Sequence, residues 1–569
     1  MRPASWWRST NANHTLSIGI QSALDQNNTT NGSSGIKQRL VRTPTHQETP
    51  MALPQIQIGD NLIGDAQLSS VEIVQELNQH WWCTVVCKQT EDQRIPVEDF
   101  LGKAVSIKIT DEDGIEHVPF SGFVLKVDLE YEIWGSYTAQ LLAVSSSYLM
   151  DVAPQKQYYA AQTLSSIGNA AAGRAGISFS LSGSSSKALN YVQYGETDFS
   201  FLNRIVDDYG CWMRPKEGGV EVFNSFQSGV SVQWRGEGGL LDLRLSGRLS
   251  PASMSGVHYD HHAMQSSSFE KVSTPPDYYD SAQRMTSAVQ SASVALPAGF
   301  EPQRARAMTL DDFQDQLHAE SQRSLGSAVT GSGHSRNQQL MAGNTIQIEG
   351  TLDAQGIYGL TRVVHHWTPQ GYTNAFDCTP WKNYRNAQPP ATHTWNGIVS
   401  ARVVDHNDPK KMGRIKVQYI WQSDSSTHWA RVTSPHAGPD RGFMFMPEIG
   451  DEVAVAFEDG DPERPVVLGA VWNGVHTQPR DELRGGDVET NDVKRLVTKS
   501  GNRLQFSDKE GVETVVLATP NNNLIKMTEK SDQTGRTNIT IESKTGDIIL
   551  HAPNGRVHIE SKFYSKDVG

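Results

Sequence analysis

Cysteine is scarce in this chain of 569 residues: four thiols, at Cys83, Cys87, Cys211 and Cys378, are too few to staple a protein of this size. Cys83 and Cys87, read on one strand at about 3.3 Å per residue, stand about 13 Å apart, beyond disulfide reach, so reduced structural thiols are expected. Long apolar runs are missing too. The best candidate, Ala160 to Gly176, falls short of the ~18–20 residues of a membrane span and is broken by polar residues. The opening MRPASWWRSTNANHTLS holds two tryptophans but no apolar segment of about 7–15 residues before a small-residue cleavage site. No Sec signal is read there, and synthesis is expected to end in the cytoplasm. Basic charge is short as well: 50 Lys+Arg against 63 Asp+Glu leave a formal charge of -13, which removes the footprint that nucleic-acid binding needs. HExxH, GxSxG and GxxxxGK[ST] do not occur, so protease, α/β-hydrolase and P-loop chemistry have no foothold.

What is present is globular and modular. The length implies several domains, and 48 Gly against 26 Pro marks a loop-rich chain with enough apolar residues to build cores. Residues 1–50 are polar and aperiodic and read as a disordered tail or an over-extended start. Short alternating segments then run through 51–150: Ala104 to Ile109, Phe120 to Leu129 and Tyr137 to Ser145, as in an antiparallel barrel or sandwich. Helical spacing enters at Thr163 to Ala175 and Asp198 to Tyr209, where Phe199, Leu202, Ile205 and Val206 share a face, so 151–260 reads as mixed α/β. Residues 263–300 are rich in Ser, Ala, Gln and Pro and read as a surface excursion inside a β-rich unit, 261–388, that also holds a helix from Leu310. Beyond Gln388-Pro389-Pro390, five short strands between Gly397 and Gly474 suit a Greek-key barrel of the oligonucleotide/oligosaccharide-binding (OB) kind, 391–476.

The C-terminal segment, 490–569, carries a repeat. Ile539 with Ile541, Ile548 with Leu550, and Val557 with Ile559 recur at nine-residue intervals, with polar or glycine corners between them. Leu504 with Phe506 and Val515 with Leu517 read as less regular turns of the same device. Such narrow rungs cannot bury themselves singly, and three chains wound together would close the sheet and abolish its edges. An intertwined trimeric β-helix is therefore expected, with these ten residues as its core.

Three passages carry a family resemblance. They are Gln193-Tyr194-Gly195-Glu196-Thr197-Asp198 with Phe201, Arg204 and Gly210; Met412-Gly413-Arg414-Ile415-Lys416-Val417 with Trp429, Arg431 and Val432; and Phe445 to Val453 leading to Phe457, Gly460-Asp461-Pro462-Glu463-Arg464-Pro465 and Leu468-Gly469. In their order and spacing the chain resembles VgrG, the spike of type VI secretion systems, which looks like a fusion of the hub and needle proteins of contractile phage tails. The resemblance implies a mainly β multidomain chain: β-barrel hub modules with an α/β insert, an OB-fold barrel and a needle. It implies structural roles for Tyr194, Glu196, Asp198, Arg204, Gly413, Arg414, Pro447, Gly450, Asp451, Val453, Gly460, Asp461, Pro462, Pro465 and Gly469. It implies a homotrimer that meets an inner-tube protein, a PAAR-repeat tip protein and effectors, and that is secreted by the contractile apparatus after cytoplasmic assembly. Phe563 and Tyr564, beyond the last repeat, are expected to form the platform for the tip. The segment from Asp405 to Lys410 is closer to spikes of extracellular injection particles, which with phage tails stand as alternative settings. With only about ten residues after the last repeat, no C-terminal toxin domain is expected.

No catalytic residue, metal site or cofactor is expected. The acidic cluster Glu448, Asp451, Glu452, Glu458, Asp459, Asp461 and Glu463 offers carboxylate pairs that an enzyme acting on peptidoglycan would need, but turn chemistry and pairing with Arg464 account for it. His261-His262 and His365-His366 lack ligand spacing and read as surface or interface residues. Ser184-Ser185-Ser186-Lys187 matches a serine-x-x-lysine pattern without its partner motifs, and Trp81, Trp82 and Trp134 are left unassigned.

Overall fold

Alternation of apolar and polar side chains organises most of the molecule. The computed structural model describes residues 54–562 apart from 64–67, 91–95, 111–115, 132–135, 184–186, 235–238, 262, 274–276, 301–309, 383–394, 423–426, 480–490 and 530–536. The expected tail at 1–50, Trp134, His262, the serine run 184–186 and the platform residues Phe563 and Tyr564 thus lie outside the described residues.

In Leu68–Glu76, Val71 and Ile73 are fully buried, and in Trp82–Thr90 Cys83, Val85 and Cys87 point to the same interior. The thiols are free, and burial pushes that of Cys87 up to about 11. These strands belong to a thirteen-stranded sheet that also takes in Ser136–Ser145, Glu116–Tyr131, Gly356–Thr368 and Gly371–Thr379. Gly356–Thr368 pairs directly with Leu68–Glu76, Val364 opposite Val74. The stretches 51–150 and 261–388, separate in the sequence reading, therefore contribute to one sheet. Hydrogen-bond pairing across about 290 residues leaves no local trace. The buried Gln75 reinforces the join, donating to the Pro119 carbonyl (2.8 Å) and accepting from the Ala342 amide (3.1 Å).

His365 corrects an expectation. It is completely buried in this sheet, 2.8 Å from the Tyr372 hydroxyl, and burial pushes its pKa down to about 3, while His366 on the opposite face is exposed. Neighbours on a strand cannot both face solvent when one sheet face is core.

Between the two contributions to the sheet, in sequence, comes the α/β module. Strands Pro154–Gln162 and Leu189–Thr197 pair antiparallel, and helices Leu164–Arg174 and Asp198–Asp208 pack beside a three-stranded sheet. Thr163 and Thr197 cap the helices by accepting from the amides of Ser166 and Ser200. The second helix buries Phe199, Phe201, Leu202, Ile205 and Val206. The stretch 263–300 is more ordered than its composition suggested. Gln265–Ser273 pairs with Ser253–Asp260, a helix spans Gln283–Ser293, and Val272 packs with Phe313 and Leu317 of the helix Leu310–Gly326. Ser266, Ser267 and Ser268 occupy both faces of this strand and so leave little apolar alternation to read.

Five strands, Val399–Asp405, Ile415–Tyr419, His428–Val432, Pro465–Ala470 and Glu452–Phe457, close into the expected barrel, with His428–Val432 and Pro465–Ala470 parallel. The C-terminal strands Val493–Val497, Arg503–Ser507, Thr514–Ala518, Leu524–Thr528 and Asn538–Glu542 form an antiparallel meander. The turns read at Leu504/Phe506 and Val515/Leu517 are thus hairpin strands and not stacked rungs. Residues 543–562 form no strand within the chain.

Gly168 explains its own presence in a helix, where glycine costs about 1 kcal/mol relative to alanine. A Cβ there would lie 2.3 Å from the Phe179 ring. Gly168→Ala should therefore destabilise the module by about 1–3 kcal/mol despite its better propensity; calorimetry or urea unfolding reads the sign, and a gain would show the ring free to move.

Candidate functional site

The family-motif residues of the two halves of the chain meet where the α/β module abuts the barrel. The local cause is strand Leu189–Thr197, whose alternation turns Val192 and Tyr194 toward the barrel and Tyr191 toward the module's own core. With Tyr158 from the paired strand they join Val399, Ala401, Tyr419, Val455 and Phe457 in a single apolar cluster, so one core is shared by two domains. The Tyr194 ring stands edge-on to Trp395 (4.6 Å between centroids) and 5.3 Å from Trp421, while Tyr158 lies 3.5 Å from the His428 ring. Burial and Glu463 push the Tyr158 hydroxyl up to about 12.

Beside this core runs a charged seam. Arg204, on the helix that Thr197 caps, donates to Glu196 (2.7 Å) and to the Val192 carbonyl (3.1 Å) and reaches Glu463 of the barrel at 3.6 Å. All three side chains are nearly buried, at 13%, 7% and 8% exposure. Burial works to lower the Arg204 pKa, but Glu196, Glu463 and Asp461 together raise it, so it stays a cation. Asp198 takes a different role: it pairs with Arg174 and accepts from Gln193 (2.9 Å), fixing the strand-to-helix corner. A second patch comes from the hairpin of Ser253–Asp260. Its end residue, His261, accepts from Arg464 (2.6 Å), and Glu458 is paired with both Arg464 (2.6 Å) and Arg431. Burial, Arg431 and Arg464 lower the His261 pKa.

The remaining motif positions shape the barrel. Asp461 opens the turn to Arg464, whose amide donates back to the Asp461 carbonyl (3.0 Å), and Pro462 sits where its fixed φ suits such a turn. Gly460 has φ +74, a conformation that glycine reaches without strain. Pro465 begins the strand opposite Phe457, and Gly469 lies in the same strand. Gly413, at φ +70, lets the chain wrap Asp408, which accepts from Arg414 Nε (3.1 Å), from its terminal nitrogen (2.6 Å) and from the Lys410 and Met412 amides. Arg414 also lies over the Trp429 ring. The Pro447 carbonyl accepts from His406 (2.6 Å), Gly450 has φ +99, Asp451 accepts from the Glu448 amide (2.8 Å), and Val453 is in the core.

Of the carboxylates read as a possible catalytic cluster, Asp451, Glu458 and Glu463 are engaged by these contacts, Asp461 accepts from the Glu463 amide (2.8 Å), and Asp459 is exposed, 3.6 Å from Arg464. Glu448 also pairs with Lys499 (3.2 Å) and Glu452 accepts from Asn473 (2.8 Å). Among the described residues no group of His, Cys, Asp and Glu could hold a metal ion. Tyr158, Val192, Trp395, Trp421 and Asp408 were missed by sequence reasoning; Val192 carried no signal, and only the aromatic or acidic type of the other four could have drawn attention.

The second feature is the meander. Cross-strand register sets Leu496, Leu504, Leu517, Ile525 and Ile541 in one row and Lys494, Phe506, Val515, Met527 and Ile539 in the next, on the same face. Apart from Lys494 that face is apolar, yet Phe506, Leu517 and Ile541 are 43%, 55% and 56% exposed. Ile548, Leu550, Val557 and Ile559 are likewise exposed. Nothing in the described part of the chain covers them.

Comparison with known proteins gives a consistent picture. The family model for the phage tail baseplate hub matches residues 75–371, more than half of the chain, and that for the type VI secretion system/phage-baseplate injector OB domain matches 399–472. The spike protein VgrG5 of Pseudomonas aeruginosa is 24% identical over 377 residues, 57% of this chain and 45% of its own length. VgrG4b of the same organism is 32% identical over 162 residues, 26% of this chain and 19% of its own. The actin cross-linking toxin VgrG1 of Vibrio cholerae is 30% identical over 158 residues, 26% and 14% of the two chains. The matched part thus spans less than half the length of these relatives. In fold, the chain is similar to the E. coli c3393 protein, a type VI secretion component described as resembling the T4 tail proteins gp27 and gp5: TM-score 0.50, 16% identity, covering 73% of this chain and all of that one. It is also similar to a chain of the lidded Francisella PdpA-VgrG complex: TM-score 0.55, 8% identity, 87% and 81% covered.

Two outcomes test the junction. Arg204→Met leaves Glu196 and Glu463 buried without their cation and should cost about 3–5 kcal/mol, read in calorimetry as the barrel uncoupling into a separate transition. Asp408 is held well below the usual carboxylate range by Arg414, against opposing burial and with help from three backbone amides. Its contribution is therefore complete above the unfolded pKa of about 3.9 and declines as the pH falls below it. Asp408→Asn should lower the melting temperature at pH 7 and flatten its dependence below pH 4.

Proposed function

Because the chain belongs to the phage tail baseplate hub family and carries the VgrG arrangement of that hub followed by an injector OB domain, we propose that it is the homotrimeric puncturing spike of a type VI secretion apparatus. The thirteen-stranded sheet with its α/β module forms the hub on the inner tube. The barrel collars the hub's exit, and the C-terminal segment makes the needle. Its work is mechanical: sheath contraction supplies force, and the shared core with its Arg204 seam carries that force from hub to barrel without a hinge.

The observation that carries this reading is the apolar face of the meander. A row of Leu and Ile half open to water is a cost unless a partner covers it. Three copies around an axis cover one another's faces and leave no strand edge. Residues 543–562, strandless within one chain, then find their hydrogen-bond partners in the other two. A PAAR-repeat protein caps the blunt end, with Phe563 and Tyr564 as its platform, and effectors travel with the tip. That a VgrG of this fold forms a complex with PdpA in Francisella supports partner-carrying. Assembly takes place in the cytoplasm and export through the apparatus. No helix among the described residues is long and apolar enough to cross a membrane. The spike relatives and the structural use of the acidic residues favour this reading over enzymatic action on peptidoglycan.

Ile541→Asp places three charges in apolar surroundings and should turn the trimer into monomers in native mass spectrometry. Thr540→Asp, on the opposite polar face, should leave the trimer intact. A trimer that survives Ile541→Asp would overturn the assigned face.

A further inference from the structure

The barrel carries an arm that its own chain does not use. Between His428–Val432 and Glu452–Phe457, residues 433–445 are exposed without a break. Its first ten residues are polar, glycine or proline in the main, but the last three, Phe443-Met444-Phe445, are apolar, and the stretch is held by its own hydrogen bonds. Ala437–Gly438 pairs with Arg441–Gly442 as a two-stranded ribbon around a turn in which Asp440 has φ +51. The Phe443 amide donates to the His436 carbonyl (2.8 Å), and the Ser434 hydroxyl bonds to the Phe443 carbonyl (2.8 Å). Both roots are fixed: the Thr433 amide donates to the Val467 carbonyl (2.9 Å), and Met446 packs on the barrel core. The ribbon presents Phe443, Met444 and Phe445 in succession, 46%, 87% and 52% exposed, with the two rings 4.5 Å apart. A preformed, rigid and apolar arm loses little entropy on docking, which is what a permanent contact requires.

Its position points to the occupant. At the foot of the arm Glu448 pairs with Lys499 in the first turn of the meander (3.2 Å), and Asp451 lies 3.5 Å from His476 on the chain leading there. The arm therefore springs from the place where the unpartnered apolar face begins, and whatever closes that face is brought to the arm as well. Phe443, Met444 and Phe445 stand on the returning leg, one to three residues from Met446 on the barrel, so they line the barrel's flank at the level where the meander begins and lie open to a barrel standing beside it.

We propose that residues 434–446 are an intersubunit clasp: Phe443, Met444 and Phe445 of each chain seat on the barrel of a second copy of this chain. This rests on the trimer reading given above. A head-to-tail contact of this kind closes on itself after three copies and ties the barrels into a collar above the needle.

The test places benzoylphenylalanine at Met444, an exposed position that disturbs no packing, in the full-length chain. Native mass spectrometry of the same sample reports the trimer independently. Chain-to-chain adducts mapping to residues 395–476 of the neighbour are expected. A sample that is trimeric but yields no such adduct, or yields adducts within one chain or to a different protein, overturns the clasp while leaving the trimer standing. A monomeric sample overturns both. As a second arm, Phe443→Ser with Phe445→Ser should raise the concentration at which the trimer dissociates at least about tenfold with an unchanged circular-dichroism spectrum; an unaltered dissociation concentration counts against the clasp.

Discussion

The barrel does not fill its own interior. Tyr158, Val192 and Tyr194, from strands more than 200 positions earlier, complete the apolar cluster around Tyr419, Val455 and Phe457. Every larger feature depends on that sharing. A linker between hub and barrel would leave the two free to pivot, as domains joined by small polar interfaces do. A common core has the packing density of a domain interior and transmits strain. The charged seam of Arg204, Glu196 and Glu463 lies alongside, where its geometry selects one docking angle. Ion pairs of this kind give little net stability but penalise misalignment, since a shifted barrel would leave a buried charge unpaired.

The same economy governs the acidic residues. A cluster rich in Asp and Glu invites a catalytic reading, because hydrolysis of glycosides needs two carboxyls facing a substrate. Here most of the prominent carboxylates are paired or hydrogen-bonded nearby, as in Glu458 with Arg431 and Arg464, Asp461 with the Glu463 amide or Glu452 with Asn473. Groups satisfied in this way shape turns. In the proposed spike these side chains would serve to hold geometry.

Opposite in character are the two apolar tracts that the chain leaves open, the meander face and the arm at Phe443 to Phe445. Both are ordered by their own hydrogen bonds and both lack an intrachain cover among the described residues. Order without burial is costly for a lone chain, and the proposed three-fold association would relieve both at once. The thirteen-stranded sheet, packed within the chain, and the meander, open on its apolar face, thus leave the same kind of alternating strand in two different states.

What the sequence determined alone were the local devices: the five short strands of the barrel, the capped helix carrying Phe199 to Val206, and the alternation that sets Leu504, Phe506, Val515, Leu517, Ile539 and Ile541 on one face. Each rests on a periodicity of two or 3.6 residues, or on glycine and proline at turns, and so is written within a few neighbouring positions. Gly460-Asp461-Pro462 and Gly413-Arg414, read from the family resemblance, sit at turns whose reasons, a positive φ and a wrapped Asp408, are local. Tertiary structure alone decided that 51–150 and 261–388 share a sheet, that His365 is core, that serine-rich 265–273 is a strand, and that Tyr194 belongs to the barrel. Those outcomes depend on which distant strand or domain occupies the facing side. A residue's alternation says that one side is buried; only the fold says against what.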